Sequence, residues 1–286
     1  MNGFFNVLKP AGMTASDVVV RLRKLTGEKK AGHLGTLDPG ATGVLPIAMG
    51  KATKLFDLLT KKQKCYRAFF TFGKTTDTLD SYGVVTEETG VVPTEAQIRA
   101  ALPSFHGVME QIPPQFSAVS VGGVRAYRLA RMGKEVTLTK KSVEITEFRY
   151  IEKFSENTYV FDVRCSGGTY IRSLARDLAE ALGTVAYMSG LIRMESGAFT
   201  LENAVTFEQL QKDFAAYLLP LEYPLQKYEV YEFPKECGKK LSNGVKCRAE
   251  FEGYRRIYCN DVFYGVGRCE KGVCRLDYFL YDGDEA

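Results

Sequence analysis

The sequence predicts an α+β protein with a larger N-terminal domain and a small β domain at its C-terminal end. Three observations predict it. The 286 residues suffice for a full core with room for a second, smaller unit. Up to the proline-bearing stretch at residues 219–225, strand-length apolar runs are interleaved with amphipathic helical patterns. From about Tyr228 the texture changes to short strand-like runs divided by Gly, Asn and Lys turns.

The elements follow in order. Residues 4–8 read as a short buried strand ended by Lys9-Pro10-Ala11-Gly12. Thr14 or Ser16 caps the next helix, in which Val18, Val19, Leu22 and Leu25 recur at helical spacing before Gly27 stops it. A glycine-rich loop, 32–43, precedes an apolar run at 44–49 that reads as buried structure. Residues 52–59 look helical, and 65–72 alternate like a strand with Tyr66 near its start. Residues 73–83 are polar and turn-rich and contain Asp77 and Asp80, and 94–102 form a short capped helix. Gln111-Ile112-Pro113-Pro114-Gln115 breaks regular structure and opens a basic, glycine-punctuated excursion.

Strands follow at 143–150 and 158–165. Ser166-Gly167-Gly168 then turns into an amphipathic helix with the stripe Ile171, Leu174, Ala175, Leu178 and Leu182, stopped by Gly183. In the C-terminal part, strands are expected at 230–233, 245–251, 256–259, 262–266 and 273–281. Glu270-Lys271-Gly272 is the turn of a hairpin there.

Composition narrows the function classes. Hydrophobic content of 45% and charged content of 25% suit a globular chain, and no apolar run approaches the roughly 18 residues that span a bilayer. The N-terminus carries no secretory pattern, so the cytoplasm is the expected location. Of seven cysteines, Cys237, Cys247, Cys259, Cys269 and Cys274 gather near the C-terminus, but none are paired at the two-residue spacing of zinc knuckles. Reduced thiols are expected there, and no metal.

Net charge is only +4. Its distribution says more. Ten of the residues between Arg21 and Lys64 are basic, against Glu28, Asp38 and Asp57. A second basic stretch comprises Arg125, Arg128, Arg131, Lys134, Lys140 and Lys141, with Glu135 its one acid. Charge runs are commonly solvated faces. Two of them, one surrounding a candidate acid, fit a polyanion better, with phosphates supplying salt-sensitive affinity.

That acid is Asp38, in Gly32-His33-Leu34-Gly35-Thr36-Leu37-Asp38-Pro39-Gly40-Ala41-Thr42-Gly43. A lone Asp-Pro-Gly is an ordinary turn. A long glycine-rich loop running straight into a core strand is instead a place where chemistry is held against a scaffold. The Gly50-Lys51-Ala52-Thr53 segment is no phosphate-cradling loop, because Leu45 stands where its first glycine must and Ala52 replaces the magnesium-binding hydroxyl. Ser-His-Asp ordering, zinc-protease motifs and a paired catalytic carboxylate are likewise not identifiable. Arg172 opposes the dipole in the first turn of its helix, a placement that usually calls for a compensating anion, although on the residues alone a surface arginine is the favoured reading.

Four segments then carry a resemblance. Leu8-Lys9-Pro10-Ala11-Gly12-Met13-Thr14, the loop around Asp38, Lys64-Cys65-Tyr66-Arg67 with Phe72-Gly73-Lys74-Thr75-Thr76-Asp77-Thr78, and Gly168-Thr169-Tyr170-Ile171-Arg172-Ser173-Leu174-Ala175 resemble, in order, the motifs of the TruB family of pseudouridine synthases. The likeness extends through Leu191-Ile192-Arg193-Met194. It implies a pseudouridine-synthase fold with a mixed, mainly antiparallel central sheet flanked by helices. The implied catalytic domain is 1–225, with an RNA-gripping thumb at about 117–141, followed by a PUA-like RNA-binding β domain at 226–286.

The implied activity is isomerisation of uridine 55 in the tRNA T-loop to pseudouridine, after the base is flipped from its stack. By motif, Asp38 is the catalytic acid, attacking ribose C1′ or removing the C2′ proton. Arg172 keeps it charged, and Tyr66 stacks on the flipped uracil and assists at C5. His33 packs among displaced bases, Leu191 lines the pocket and Lys9 supports the cleft. The loop glycines give clearance for the flipped nucleotide. No cofactor is implied. The partner is the tRNA T-arm, with no membrane, no obligate protein partner and a monomeric chain. A tRNA-folding chaperone and the catalytic subunit of a guide-RNA ribonucleoprotein are the competing readings.

Overall fold

The computed structural model describes residues 1–117, 119–133, 136–281 and 283. The chain begins with β1 (Gly3–Lys9), α1 (Ala15–Thr26), β2 (Ala31–His33) and β3 (Thr42–Met49). Thr14, not Ser16, caps α1. Its hydroxyl accepts from the Asp17 amide at 3.1 Å while the Asp17 carboxylate accepts from the Thr14 amide at 2.8 Å. Such a reciprocal cap contributes about 1 kcal/mol. Gly27 ends the helix in the left-handed conformation.

After β3 comes a 3-10 turn at Gly50–Leu55, then α2 (Phe56–Thr60), where the sequence predicted one helix. Next are β4 (Lys64–Phe72), β5 (Lys74–Thr76), β6 (Val85–Glu88), α3 (Glu95–Ala101) and β7 (Gly107–Gln111). The basic excursion holds a small hairpin, β8 (Ser120–Val121) with β9 (Val124–Arg125), and α4 (Ala126–Arg131). Lys134 and Glu135, counted among its charges, lie outside the described residues. The return path is β10 (Lys141–Lys153), β11 (Thr158–Cys165), α5 (Ile171–Ala181), β12 (Ala186–Ser196), β13 (Phe199–Thr200) and α6 (Phe207–Asp213).

The main sheet runs β1-β3-β12-β4-β11-β10-β7, with β2 paired to β3 and β13 to β12. Among its described pairings β3 with β12 is parallel and the others are antiparallel. One face packs under α1 and α5, where Val18, Leu22, Leu174 and Leu178 meet Phe70, Phe161 and Leu45 in a single core. The other face forms a second core that joins Phe4, Leu34, Val44 and Leu59 to Val266 and Leu280 of the C-terminal part.

That part comprises β14 (Val230–Phe233), α7 (Lys235–Ser242), β15 (Cys247–Arg248), β16 (Gly253–Cys259), β17 (Val262–Glu270) and β18 (Val273–Phe279). Its sheet is β14-β16-β17-β18-β15. The turn at Lys271-Gly272, both at positive φ, closes the β17–β18 hairpin as predicted. The strand expected at 245–251 shrinks to two residues, and α7 was not expected at all. All seven cysteines are free thiols, and Cys247, Cys259, Cys269 and Cys274 are buried in the core of this part.

Candidate active site

Asp38 sits in a tight turn, where the Ala41 amide donates to its carbonyl at 3.1 Å. Pro39 is pinned from the neighbouring loop, its carbonyl accepting from the Gly12 amide at 2.8 Å and from the Lys9 ammonium at 3.1 Å. Thus β1, through Lys9, and the loop after it fix where the acid stands. Lys9 is fully buried, and its burial drags the ammonium down to about 8 even though Asp38 opposes the shift.

The anion that Arg172 needs is Asp38. Nε of Arg172 lies 3.0 Å from Oδ2 and Nη2 donates to Oδ1 at 3.2 Å, a two-point grip across 134 residues of chain. The same guanidinium lies 3.4 Å from Asp80 Oδ2 and donates to the carbonyls of Thr78 at 2.9 Å and Phe116 at 3.0 Å. Arg172 therefore ties together three loops and is buried, although it occupies the second position of α5. Lying in the first turn, it is turned inward by the carboxylates rather than outward to water.

Asp80 lies in the polar, turn-rich stretch at 73–83, where the sequence suggests no role for it. Its Oδ1 accepts from the Thr78 hydroxyl at 2.6 Å and the Tyr82 amide at 3.0 Å, leaving Oδ2 for Arg172. The turn docks on the sheet through the Leu79 carbonyl, which accepts from the Met188 amide at 3.0 Å. Leu79 itself has φ of +58°, a left-handed strain that persists only where surroundings hold it.

The balance at Asp38 differs from the expectation that Arg172 alone decides it. Burial is the largest influence and raises the carboxyl above its usual range, Asp80 adds to the rise, and Arg172 and Lys9 oppose it. A third of the side chain stays open to solvent, yet the packed loops around it withdraw enough water for burial to win.

Tyr66 projects from β4 and is buried, its phenol pushed up to about 12 chiefly by burial. Close to it lies Arg193 of β12, fully buried, whose charge opposes that rise. Arg193 donates to the carbonyls of Val44 at 2.7 Å and Gly35 at 3.2 Å, with Thr36 at 3.5 Å. Among the described residues no carboxylate pairs with it. This arginine braces the loop that bears Asp38, and only its place in a matched segment marked it in the sequence.

Gly43 serves the same brace. At φ of +103°, a Cβ there would stand 2.3 Å from the Arg193 carbonyl, so this glycine gives clearance to β12 rather than to a ligand. Gly40 differs, because a Cβ there would meet the ring of Tyr82 at 2.3 Å. Tyr82 is two-thirds exposed and covers the turn beside Asp38.

His33 ends β2, half-buried, its Nδ1 without a partner among the described residues. Burial, with Arg193 nearby, lowers its pKa and keeps the ring neutral. Leu191 is buried on β12 as part of the larger core. Lys64, counted among the surface charges, is buried instead. It donates to the carbonyls of Thr60 at 2.8 Å and Lys62 at 3.1 Å. Lys51 and Lys54 likewise donate to the carbonyls of Tyr281 and Phe279, docking the C-terminal part.

The excursion is tied at its root. The Gln115 side-chain amide donates to the Val136 carbonyl at 2.9 Å and accepts from the Val136 amide at 3.3 Å. Arg125, Arg128, Lys140 and Lys141 are exposed along it. Among the described residues there is no group of three or more His, Cys, Asp or Glu placed to hold a metal ion, and no helix long and apolar enough to cross a membrane.

Comparison with known proteins bears on this geometry. Residues 23–171 match the family described as TruB family pseudouridylate synthase (N terminal domain), and 172–226 match the tRNA pseudouridylate synthase B C-terminal domain. A tRNA pseudouridine synthase B from Clostridium perfringens is 40% identical over 293 residues, covering 99% of this chain and all of its own. One from Alkaliphilus oremlandii is 44% identical, covering 91% of this chain and 84% of its own. Among solved structures, an H/ACA RNP bound to a substrate RNA containing 2′-deoxyuridine aligns with TM-score 0.75 at 21% identity, over 99% of this chain and 86% of that one. The archaeal box H/ACA sRNP Nop10-Cbf5 complex aligns with TM-score 0.73 at 22% identity, over 99% and 87%. At that identity the likeness establishes the fold.

Proposed function

Because this chain belongs to the TruB family of pseudouridylate synthases, we propose that it isomerises uridine 55 in the T-loop of tRNA to pseudouridine. The observation that carries the reading is the two-point contact between Asp38 and Arg172, with a third of the Asp38 side chain open to solvent. The reaction exchanges the N1–C1′ bond of uridine for a C5–C1′ bond. A proton leaves C5 and N1 gains one, so no oxidant or reductant is consumed.

Asp38 is the catalytic residue. Each of its oxygens accepts one bond from Arg172, which leaves each a further lone pair. The carboxylate either attacks C1′ or takes the C2′ proton. Its carboxyl, raised above the usual range by burial, is the stronger base or nucleophile in its ionised form. Tyr66, held protonated, offers a ring face to the flipped uracil; its elevated pKa favours stacking over proton removal at C5. The neutral His33 suits packing against displaced bases, Leu191 gives the pocket an apolar wall and Lys9 holds the turn in register. Residues 1–225 act as the catalytic domain, with the excursion at about 117–141 as a grip on the T-arm. Residues 226–286 act as a PUA-like RNA-binding unit. The chain works in the cytoplasm as a monomer on tRNA alone.

The test incubates the purified chain with an unmodified tRNA transcript and maps pseudouridine. Product at position 55 is expected, with none from Asp38→Asn. Product from Asp38→Asn at the wild-type rate overturns the catalytic assignment. A requirement for guide RNA or added proteins moves the chain to the ribonucleoprotein reading.

A further inference from the structure

Three aromatic side chains stand exposed among the described residues, Phe56, Tyr82 and Phe154. Phe154 is partnered edge-on by Phe69, 5.2 Å between ring centres. Tyr82 is the one whose contacts reach the site. A Cβ built on Gly40 would collide with Cε2 of its ring, so the ring rests on the turn that carries Asp38. Gly40 stands two residues from Asp38, about 7 Å of chain at most. The Ala41 amide draws the turn tighter by donating to the Asp38 carbonyl at 3.1 Å. In spite of that contact, 66% of Tyr82 stays open to water.

A second connection ties Tyr82 to the acid through the chain before it. Its amide donates to Asp80 Oδ1 at 3.0 Å, and Asp80 Oδ2 lies 3.4 Å from the guanidinium that grips Asp38. The backbone on either side is held as well. The Asp80 carbonyl accepts from the Thr76 hydroxyl at 2.7 Å, and Asp77 Oδ1 accepts from the Val84 amide at 2.8 Å. None of these bonds uses the Tyr82 ring, so closing the turn does not explain it. What results is an aromatic side chain on a fixed backbone, beside the catalytic acid and mostly in water.

We propose that Tyr82 is a substrate-positioning residue, its exposed ring stacking on the base of a nucleotide adjacent to the reacting uridine. Flipping the uridine to Asp38 unstacks its neighbours, and a ring on a held turn offers one of them a replacement face. Unpaired RNA is read in this way, by bases stacked on aromatic side chains. A base is the occupant rather than a phosphate, because a neutral ring brings no charge to an anion while every base has a π-face. Tyrosine has only two side-chain torsions to fix, so ordering it costs little. The inference rests on the tRNA reading above.

The experiment compares Tyr82→Ala and Tyr82→Phe with the wild type on an unmodified tRNA transcript, reading KM, kcat and melting temperature. Tyr82→Ala should raise KM on the order of 10-fold, more than it lowers kcat. Its melting temperature should stay within about 2 °C of the wild type, because most of the side chain lies in water. Tyr82→Phe should keep the wild-type KM. The chain contains no tryptophan, so Tyr82→Trp places a single indole at this position. In the Asp38→Asn background, which removes turnover, that indole should be quenched as tRNA is added. A wild-type KM in Tyr82→Ala overturns the proposal, whether or not kcat and melting temperature fall, and so does an emission that saturating tRNA leaves unaltered. If the indole is quenched but the wild-type chain forms no pseudouridine, the stacking contact stands and the functional reading alone fails.

Discussion

Arg172 and Arg193 are both buried, both reach into the loop at 32–43, and they are satisfied in opposite ways. Arg172 faces two carboxylates, Asp38 and Asp80, and two carbonyls. Arg193 faces carbonyls and a phenol, with no carboxylate among the described residues. The first arrangement leaves an acid with a fixed direction and free lone pairs at an opening. The second neutralises nothing and points at nothing reactive; its hydrogen bonds hold the backbone of the glycine-rich loop. A buried cation among carbonyls is costly unless each donor is used. The contrast separates a charge kept for chemistry from a charge kept for shape.

The sharpest way to break this contrast is to exchange the consequences. Arg172→Lys removes the two-point grip, because an ammonium cannot match the guanidinium fork. Pseudouridine formation should fall on the order of 10²–10³-fold, with a smaller loss of thermal stability than Arg193 variants show. Intact kcat in Arg172→Lys would erase the distinction.

Arg193→Met should do the reverse. Unpaired carbonyls at Gly35 and Val44 cost about 1–3 kcal/mol each, so roughly 3 kcal/mol of stability should be lost. That loss lowers the melting temperature by about 6–12 °C in calorimetry. A melting temperature within error of the wild type would mean that the loop holds itself.

A subtler effect concerns Asp80, whose carboxylate helps to raise the Asp38 pKa. Asp80→Asn removes that neighbour, so Asp38 should ionise at lower pH. The acidic limb of the kcat/KM profile should then move toward lower pH. A limb moving upward would show that Asp80 acts through Arg172 instead.

The smallest effect separates two glycines of the same loop. Gly40→Ala meets only the exposed ring of Tyr82, which can swing away, and should change stability by less than about 0.5 kcal/mol. Gly43→Ala meets the backbone of Arg193 at positive φ and should cost several times more in the same denaturation assay.

What the sequence made legible follows the same division. Arg172 showed a local electrostatic conflict, a cation in a first helical turn, but on the residues alone a surface arginine was the favoured reading, and only the resemblance supplied its anion. Thr14, Gly27 and the Lys271-Gly272 turn were legible because caps and turns are decided within a few residues. Arg193 had no local sign. Its strand, β12, is broken by irregularities between Met188 and Gly190 and between Arg193 and Glu195, which erase the two-residue alternation. Asp80 was hidden in another way, because its role depends on a partner 92 positions away in the chain. In the C-terminal part, α7 buries only Gly238 and Leu241, too few to print an apolar stripe. The strand expected at 245–251 failed because only Cys247 and Arg248 find a neighbour to pair with.

The clasp between Gln115 and Val136 has a further consequence, which concerns entropy. It joins two points 21 residues apart with a pair of hydrogen bonds from one side chain. Closing a flexible loop becomes more expensive only slowly with length, about 0.6 kcal/mol for each doubling. A change in the length of the intervening segment therefore costs little in closure entropy, provided the clasp holds. The residue just inside it is Phe116, whose carbonyl Arg172 grips. Arg172 thus holds the first residue inside the clasp, and the two contacts together fix this end of the segment beside the carboxylate.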